Sequence, residues 1–198
     1  MPILEHKGQK PEIDELAWVS PNATLIGDVK VGPNSIIWPG TYLRAEQAPI
    51  KIGKYTTVFD GVMMFTRSEK SPIEIGNYNI IETGTCIFGT FTSDYITFGE
   101  SCLIYERSSI GEGAILISNS TVAPSMIVPE RAIMKGDPAT VIREQTRGDI
   151  FKEKERATHY SELFIRIRQK LPNLQPYALT ESAVMRQLID VQSDKKSE

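Results

Sequence analysis

An apolar residue recurs at every sixth position over most of the chain, with polar and turn-forming residues between. The column runs Val19, Leu25, Val31, Ile37, Leu43, resumes at Ile52, Val58, Met64, and again at Ile75, Ile81, Ile87. After one five-residue step to Thr92 it continues through Phe98, Ile104, Ile110, Leu116, Val122, Val128 and Met134. A step of six fits neither an amphipathic helix nor an alternating strand. It predicts a parallel β-helix of hexapeptide repeats, each a short strand and a corner. With three flat sides per turn, residues 19–143 wind into about six coils.

One side of this solenoid holds Val31, Ile52, Ile75, Thr92, Ile110 and Val128, followed directly by Gly32, Gly53, Gly76, Ser93, Gly111 and Pro129. Four glycines in one register predict a repeated backbone need, either positive φ or close approach of neighbouring chain. Extra residues lie between Leu43 and Ile52 and between Met64 and Ile75, where RSEKSP is polar. Insertions in a solenoid loop out at corners.

Residues 1–18 read as a lead-in to the β-helix domain. Lys135-Gly136-Asp137-Pro138 breaks the repeat. A helical appendage over 146–192 follows. Its first helix starts near Thr146 with Asp149 in the first turn, carries Ile150, Ala157, Tyr160, Phe164, Ile167 and Leu171 on one face, and stops at Pro172. A helix packed along a solenoid edge covers unpaired strands. A second short helix fits Glu181 to Val191.

A net charge of −3 and a pI near 5.6 leave no basic stripe for nucleic acid. No apolar run is long enough to cross a membrane as a helix. The first residues mix Lys7 and Lys10 with Glu5, Glu12, Asp14 and Glu15, unlike a secretory or transit signal. The expected compartment is the cytoplasm or the mitochondrial matrix. Cys86 and Cys102 form neither a disulfide framework nor a metal pair, and read as small buried side chains in a reducing compartment.

Several stretches together resemble the gamma-class carbonic anhydrases. They are Pro21 to Val29 (PNATLIGDV), Ile37-Trp38-Pro39 with Leu43-Arg44, Ile52-Gly53-Lys54-Tyr55, Val58-Phe59-Asp60-Gly61-Val62, and Lys135 to Arg143 (KGDPATVIR), followed by His159-Tyr160 in the helix. The resemblance covers roughly residues 10–165. It implies an all-β left-handed parallel β-helix with C-terminal α-helices that assembles as a trimer. It also implies a zinc ion between two subunits, held by three histidines. At the positions that match those ligands this chain has Phe65, Thr83 and Phe88. Zinc takes a lone pair from N, S or O, which a phenylalanine lacks. The chain's two histidines, His6 and His159, fall outside the repeats. Arg44 and Asp60 match the family's charged residues, Glu46 stands for its aspartate, and all three are expected in an inter-subunit network. No catalytic residue, metal or cofactor is therefore expected.

Repeat spacing places Phe65, Phe88 and Tyr105 on neighbouring rungs beside the column, with Arg44 one coil before them. Three stacked rings on a surface predict burial in an interface, or a fold-back of the 67–73 loop over them. The leading expectation is a non-catalytic subunit in a homotrimer or heterotrimer within a larger assembly such as respiratory complex I. Three alternatives stand beside it. A hexapeptide acyltransferase typically uses a histidine base, and none lies between residues 7 and 158. A carbonic anhydrase with non-standard ligands would draw on Glu82, Thr83, Cys86, Tyr105 and Glu106. A dynactin pointed-end-like subunit is suggested by Leu171-Pro172-Asn173.

Overall fold

The sixfold column becomes the core of the solenoid. The computed structural model describes residues 2–170. In it, Leu25, Ile37, Leu43, Val58, Met64, Ile81, Ile87, Phe98, Ile104, Leu116 and Val122 are all fully buried. They point inward from short parallel strands that stack coil upon coil.

Three sides are built this way. The first stacks Trp18–Val19, Ile36–Ile37, Thr57–Val58, Ile80–Ile81, Thr97–Phe98, Ile115–Leu116 and Ala132–Gly136. The second stacks the first halves of Thr24–Val31 and Tyr42–Ile52 with Met63–Phe65, Cys86–Ile87, Leu103–Ile104 and Thr121–Val122. The third stacks Glu12–Ile13, the second halves of the two long strands, Ile73–Ile75, Thr90–Thr92, Ser108–Ile110 and Ile127–Val128. The coils number about seven rather than six. The extra one is made by residues 2–18: Ile3–Leu4 pairs in parallel with Leu25 and Ile26, and Glu12–Ile13 with Lys30 and Val31.

The corners are held by hydroxyls that reach the next coil. Ser35 Oγ donates to the Gly53 carbonyl at 2.6 Å, Thr41 Oγ1 to Phe59 at 3.1 Å, Thr56 Oγ1 to Gly76 at 3.0 Å and Thr85 Oγ1 to Gly99 at 2.9 Å. Each buried carbonyl gains a partner that water cannot supply there. Of the two glycine explanations, close approach holds. A Cβ on Gly53 would lie 2.5 Å from the Gly76 oxygen, and one on Gly76 would lie 2.4 Å from the Ser93 oxygen. The residue two places on takes the positive φ: Asn34, Tyr55, Tyr78, Tyr95 and Gly113. Where the column shortens to Thr92, the fully buried Asn79 repairs the coil. Its Nδ2 donates to Thr92 Oγ1 at 3.2 Å and to the Ser93 carbonyl at 3.0 Å, and its Oδ1 accepts from Ile96 N at 2.7 Å.

After Met134 the chain reverses through a cis Asp137–Pro138 peptide. Ala139–Glu144 then pairs antiparallel with Ala132–Gly136 and closes the first side. This strand, and not a helix, covers that edge. Helix α1, Arg147–Lys170, starts on a reciprocal cap. Asp149 N donates to Thr146 Oγ1 at 3.2 Å, and Thr146 N donates back to Asp149 Oδ2 at 2.8 Å. Arg143 adds an ion pair at 2.6 Å, and these partners hold the Asp149 carboxyl well below the usual range.

Residues 147–161 of α1 lie against the outer face of the first side. Thr97 Oγ1 donates to Glu153 Oε2 at 2.6 Å, Arg156 pairs with Glu82, and the Tyr160 ring meets Phe59 edge-on at 5.2 Å. Ile36, Thr57, Ile80, Thr97 and Ile133, which point outward on this side, are all buried. The chain divides into two units, Met1–Ser161 and Glu162–Glu198. In the second the structure describes the last turns of α1, where Arg166 pairs with Glu162 at 3.3 Å. The expected second helix at 181–191 lies outside the described residues.

Candidate functional site

The outer face of the second side carries the candidate residues. Strand register sets Ile26 beside Arg44 and Arg44 beside Phe65. Pairing of Cys86–Ile87 with Met63–Met64, and with Leu103–Ile104, brings Phe88 next to Phe65 and Tyr105 next to Phe88. The ring centroids are 6.2 Å apart for Phe65 and Phe88 and 5.4 Å for Phe88 and Tyr105. The expected ladder is thus formed. The Arg44 guanidinium caps it, 4.8 Å from the Phe65 centroid, and pairs with Glu46 at 3.5 Å.

Phe88 is enclosed by its own chain. The loop after Phe65 is pinned by the buried Thr66 hydroxyl, which donates to the Ala48 carbonyl at 2.9 Å and accepts from Ala48 N at 3.2 Å. Arg67 then lies over the Phe88 ring at 3.8 Å and pairs with Glu106 at 3.7 Å. Gly89 lets the loop close, since a Cβ there would stand 2.9 Å from Ser71 Cβ. Phe88 keeps only 9% of its surface, while Phe65 and Tyr105 stay half-buried.

A second column runs alongside. Tyr42, Met63, Cys86 and Leu103 point outward from the same strands in consecutive register. The Tyr42 ring leans on Phe65 at 5.8 Å, and Met63 is 37% exposed. Burial pushes the Cys86 thiol up, which keeps it protonated at neutral pH. The two columns make one apolar face flanked by Arg44, Arg67 and their carboxylates.

Asp60 and Thr83 do not join this face. Both sit in the turns between the first and second sides, where Gly84 N donates to the Asp60 carbonyl at 3.1 Å and Ser101 N to the Thr83 carbonyl at 3.0 Å. Thr83 is exposed. His6 sits at the opposite corner, in the added first coil, with an enclosed Nε2 that makes no hydrogen bond among the described residues. His159 is exposed on α1.

Two further aromatic rows were not anticipated. At the corner between first and second sides, Trp18, Trp38 and Phe59 are in contact, with Trp38 and Phe59 stacked at 5.7 Å, and Tyr160 ends the row. Beside it Glu82 meets Arg156, yet burial and the neighbouring Glu100 and Glu153 carboxylates hold the Glu82 pKa above its ordinary value. At the corner between third and first sides, Tyr55, Tyr78 and Tyr95 stack at 4.9 Å with nearly parallel rings. The signal was the spacing Gly53-x-Tyr55, Gly76-x-Tyr78, Ser93-x-Tyr95.

This geometry is that of a hexapeptide-repeat β-helix with an apolar lateral face. A profile for the bacterial transferase hexapeptide (six repeats) matches residues 10–45. A hexapeptide transferase family protein from Anaplasma phagocytophilum has a solved structure that superposes with a TM-score of 0.77 at 26% identity, covering 82% of this chain and 95% of that one. A carbonic anhydrase of Geobacillus kaustophilus is 30% identical over 154 residues, 78% of this chain and 84% of its own. Gamma carbonic anhydrase 1, mitochondrial, of Arabidopsis thaliana is 26% identical over 170 residues, and the chain spans 58% of that protein's length. The chain belongs to the gamma carbonic anhydrase-like family of hexapeptide-repeat proteins, and its solenoid is a left-handed parallel β-helix.

The residues at the resemblance's ligand positions do not fit the family's zinc ion. Phe65 and Phe88 adjoin each other, and their rings have no lone pair to give. Thr83, at a different corner, offers one hydroxyl.

Proposed function

We propose that this chain is a non-catalytic member of its family, a scaffold subunit that joins two like subunits through the outer face of its second side. The observation that carries the reading is the stacked pair Phe65 and Phe88, carbon side chains in the positions where the resemblance places zinc ligands. Exposed Met63 with half-buried Tyr42, Phe65, Leu103 and Tyr105 gives an apolar patch of the kind that marks a protein interface. Arg44 and Glu46 lie at its rim, and in this reading Asp60 meets a neighbouring subunit from the other corner. The trimer is a homotrimer or a mixed one with related subunits, inside a larger assembly. Its compartment is the cytoplasm or the mitochondrial matrix, and the mitochondrial relatives in Arabidopsis support a mitochondrial one.

Native mass measurement of the full chain, with zinc analysis and a CO2 hydration assay on the same sample, tests this. A metal-poor trimer without hydration activity is expected. Stoichiometric zinc with activity sinks the proposal. A transferase reading is favoured by the hexapeptide profile and by the Anaplasma structure. Acyl transfer from acetyl-coenzyme A to a panel of amines and sugars, at a rate above the buffer blank, would establish it.

A further inference from the structure

The tyrosine row ends in a gap. Asn34, Tyr55, Tyr78, Tyr95, Gly113 and Arg131 occupy one corner position on successive coils, all with φ between 54° and 69°. The backbone confirms the register: Tyr95 N donates to the Asn77 carbonyl at 3.0 Å, Gly113 N to Asp94 at 3.0 Å and Arg131 N to Glu112 at 2.8 Å. Three rungs hold a tyrosine ring and the fourth holds none. At that rung lies a cavity of about 390 Å3 whose lining includes Tyr95, Arg131, Glu153 and Gln145, the last donating its amide to the Gly113 carbonyl. A Cβ placed on Gly113 would meet only Arg131 Cγ, at 3.5 Å.

The geometry points to a binding site for a planar nitrogen heterocycle bearing an exocyclic amine, such as an aminopurine, inserted at the Gly113 rung between the Tyr95 ring and the Arg131 side chain. One face of Tyr95 is taken by Tyr78 at 4.9 Å. Arg131 bounds the other side of the Gly113 rung; it is one rung beyond Gly113 and two beyond Tyr95, a backbone separation of twice the strand spacing of about 4.8 Å. One flat ring fills such a gap, stacked on tyrosine and covered by guanidinium. Glu112 and Glu130 stand at its edge. Carboxylates only accept hydrogen bonds, so they select a ring with N–H donors. The Lys154 ammonium now lies 4.7 Å from the Tyr95 centroid. It is an exposed side chain on α1, and the inserted ring would displace it from the tyrosine face. The cavity is within the size range of small-ligand pockets.

The test is a fluorescence titration of the full chain with 2-aminopurine riboside, whose emission is quenched by stacking. Saturable quenching, competed by adenosine, is expected. Gly113→Tyr should abolish it by completing the row, in a backbone conformation that three tyrosines already adopt. Tyr95→Leu should weaken it about tenfold or more. Circular dichroism and the unfolding midpoint verify that each variant is folded, and should Gly113→Tyr fail to fold, Tyr95→Leu decides. Three results overturn the proposal: no saturable quenching by the wild type, equal affinity for purine riboside lacking the amine, or tetramethylammonium competing as well as adenosine.

Discussion

Phe88→Ala separates what holds the ladder together from what holds subunits together. Phe88 is 9% exposed and lies between Phe65 at 6.2 Å and Tyr105 at 5.4 Å, under Arg67 at 3.8 Å. Removing a buried phenylalanine ring costs about 3–5 kcal/mol where the surroundings stay rigid. Here Arg67 is half-exposed and its loop settles into part of the space, so a loss near 3 kcal/mol is expected. Because little of Phe88 faces outward, the loss should appear as a lower urea midpoint for each subunit, with unchanged slope. Subunit dissociation, followed by sedimentation at several concentrations, should move less than about threefold, since Phe88 holds no central place in the contact. Phe65→Ala and Tyr105→Ala should show the reverse, with dissociation raised about thirtyfold and the folded subunit little affected. A Phe88→Ala protein that keeps its urea midpoint but falls apart into single subunits would refute the assignment of Arg67 as its cover.

Three more outcomes follow from particular contacts. The triple change Phe65→His, Thr83→His, Phe88→His should create zinc binding in the trimer alone, because Thr83 occupies a different corner from the other two; zinc retained by a dissociated subunit, by metal analysis after gel filtration, would argue otherwise. Gly76→Ala should lower stability by about 1–3 kcal/mol, since its Cβ would stand 2.4 Å from the Ser93 oxygen; an unchanged melting temperature would mean that the coils spread freely. The third concerns pH. The folded protein holds the Glu82 proton more tightly than the unfolded chain, so this group's contribution is full below the ordinary glutamate pKa and declines as pH rises through the raised one. Glu82→Gln should remove that decline from the urea midpoint measured against pH, and an identical pH profile in the variant would reject the linkage.

The repeat was legible in the sequence because one face of every strand is buried on a fixed period. The core list, the insertions at one corner, the ladder Phe65, Phe88, Tyr105 and the start of α1 at Thr146 all follow from that period or from cap chemistry. What was missed lies where the period is absent. From Ile3 to Ile13 the chain takes ten residues, off the sixfold step, and only the pairing of Ile3–Leu4 and Glu12–Ile13 with Thr24–Val31 makes them a coil. The contacts of α1 with Phe59, Glu82 and Thr97 join residues far apart in the chain, and no local pattern announces them. Arg44 and Glu46 pair within the chain, and Asp60 sits at another corner, in a turn between the first and second sides. Sequence spacing gives the rung of a residue more readily than the corner it turns.

The outward positions differ from side to side, and the third side also exposes Phe91 and Ile127 on its later coils. On the first side the outward residues include Ile36, Ile80 and Ile133, and all three are buried within the chain itself. On the third side the early coils present Lys30 paired with Glu12 and Lys51 paired with Glu74, exposed pairs suited to water. The second side alternates Tyr42, Met63, Cys86 and Leu103 with Phe65, Phe88 and Tyr105, and α1 does not reach it through any of its contacts among the described residues. A metal-bridged interface is held by a few short, directional bonds and tolerates polar surroundings. An interface without that ion must be held by apolar area. At the two phenylalanine positions the directional bonds have no donor; half-buried Phe65 offers area to a neighbour, while Phe88 supports it from beneath. On the proposed reading the two features are coupled: the side chains that cannot hold a metal also give the second side its apolar surface.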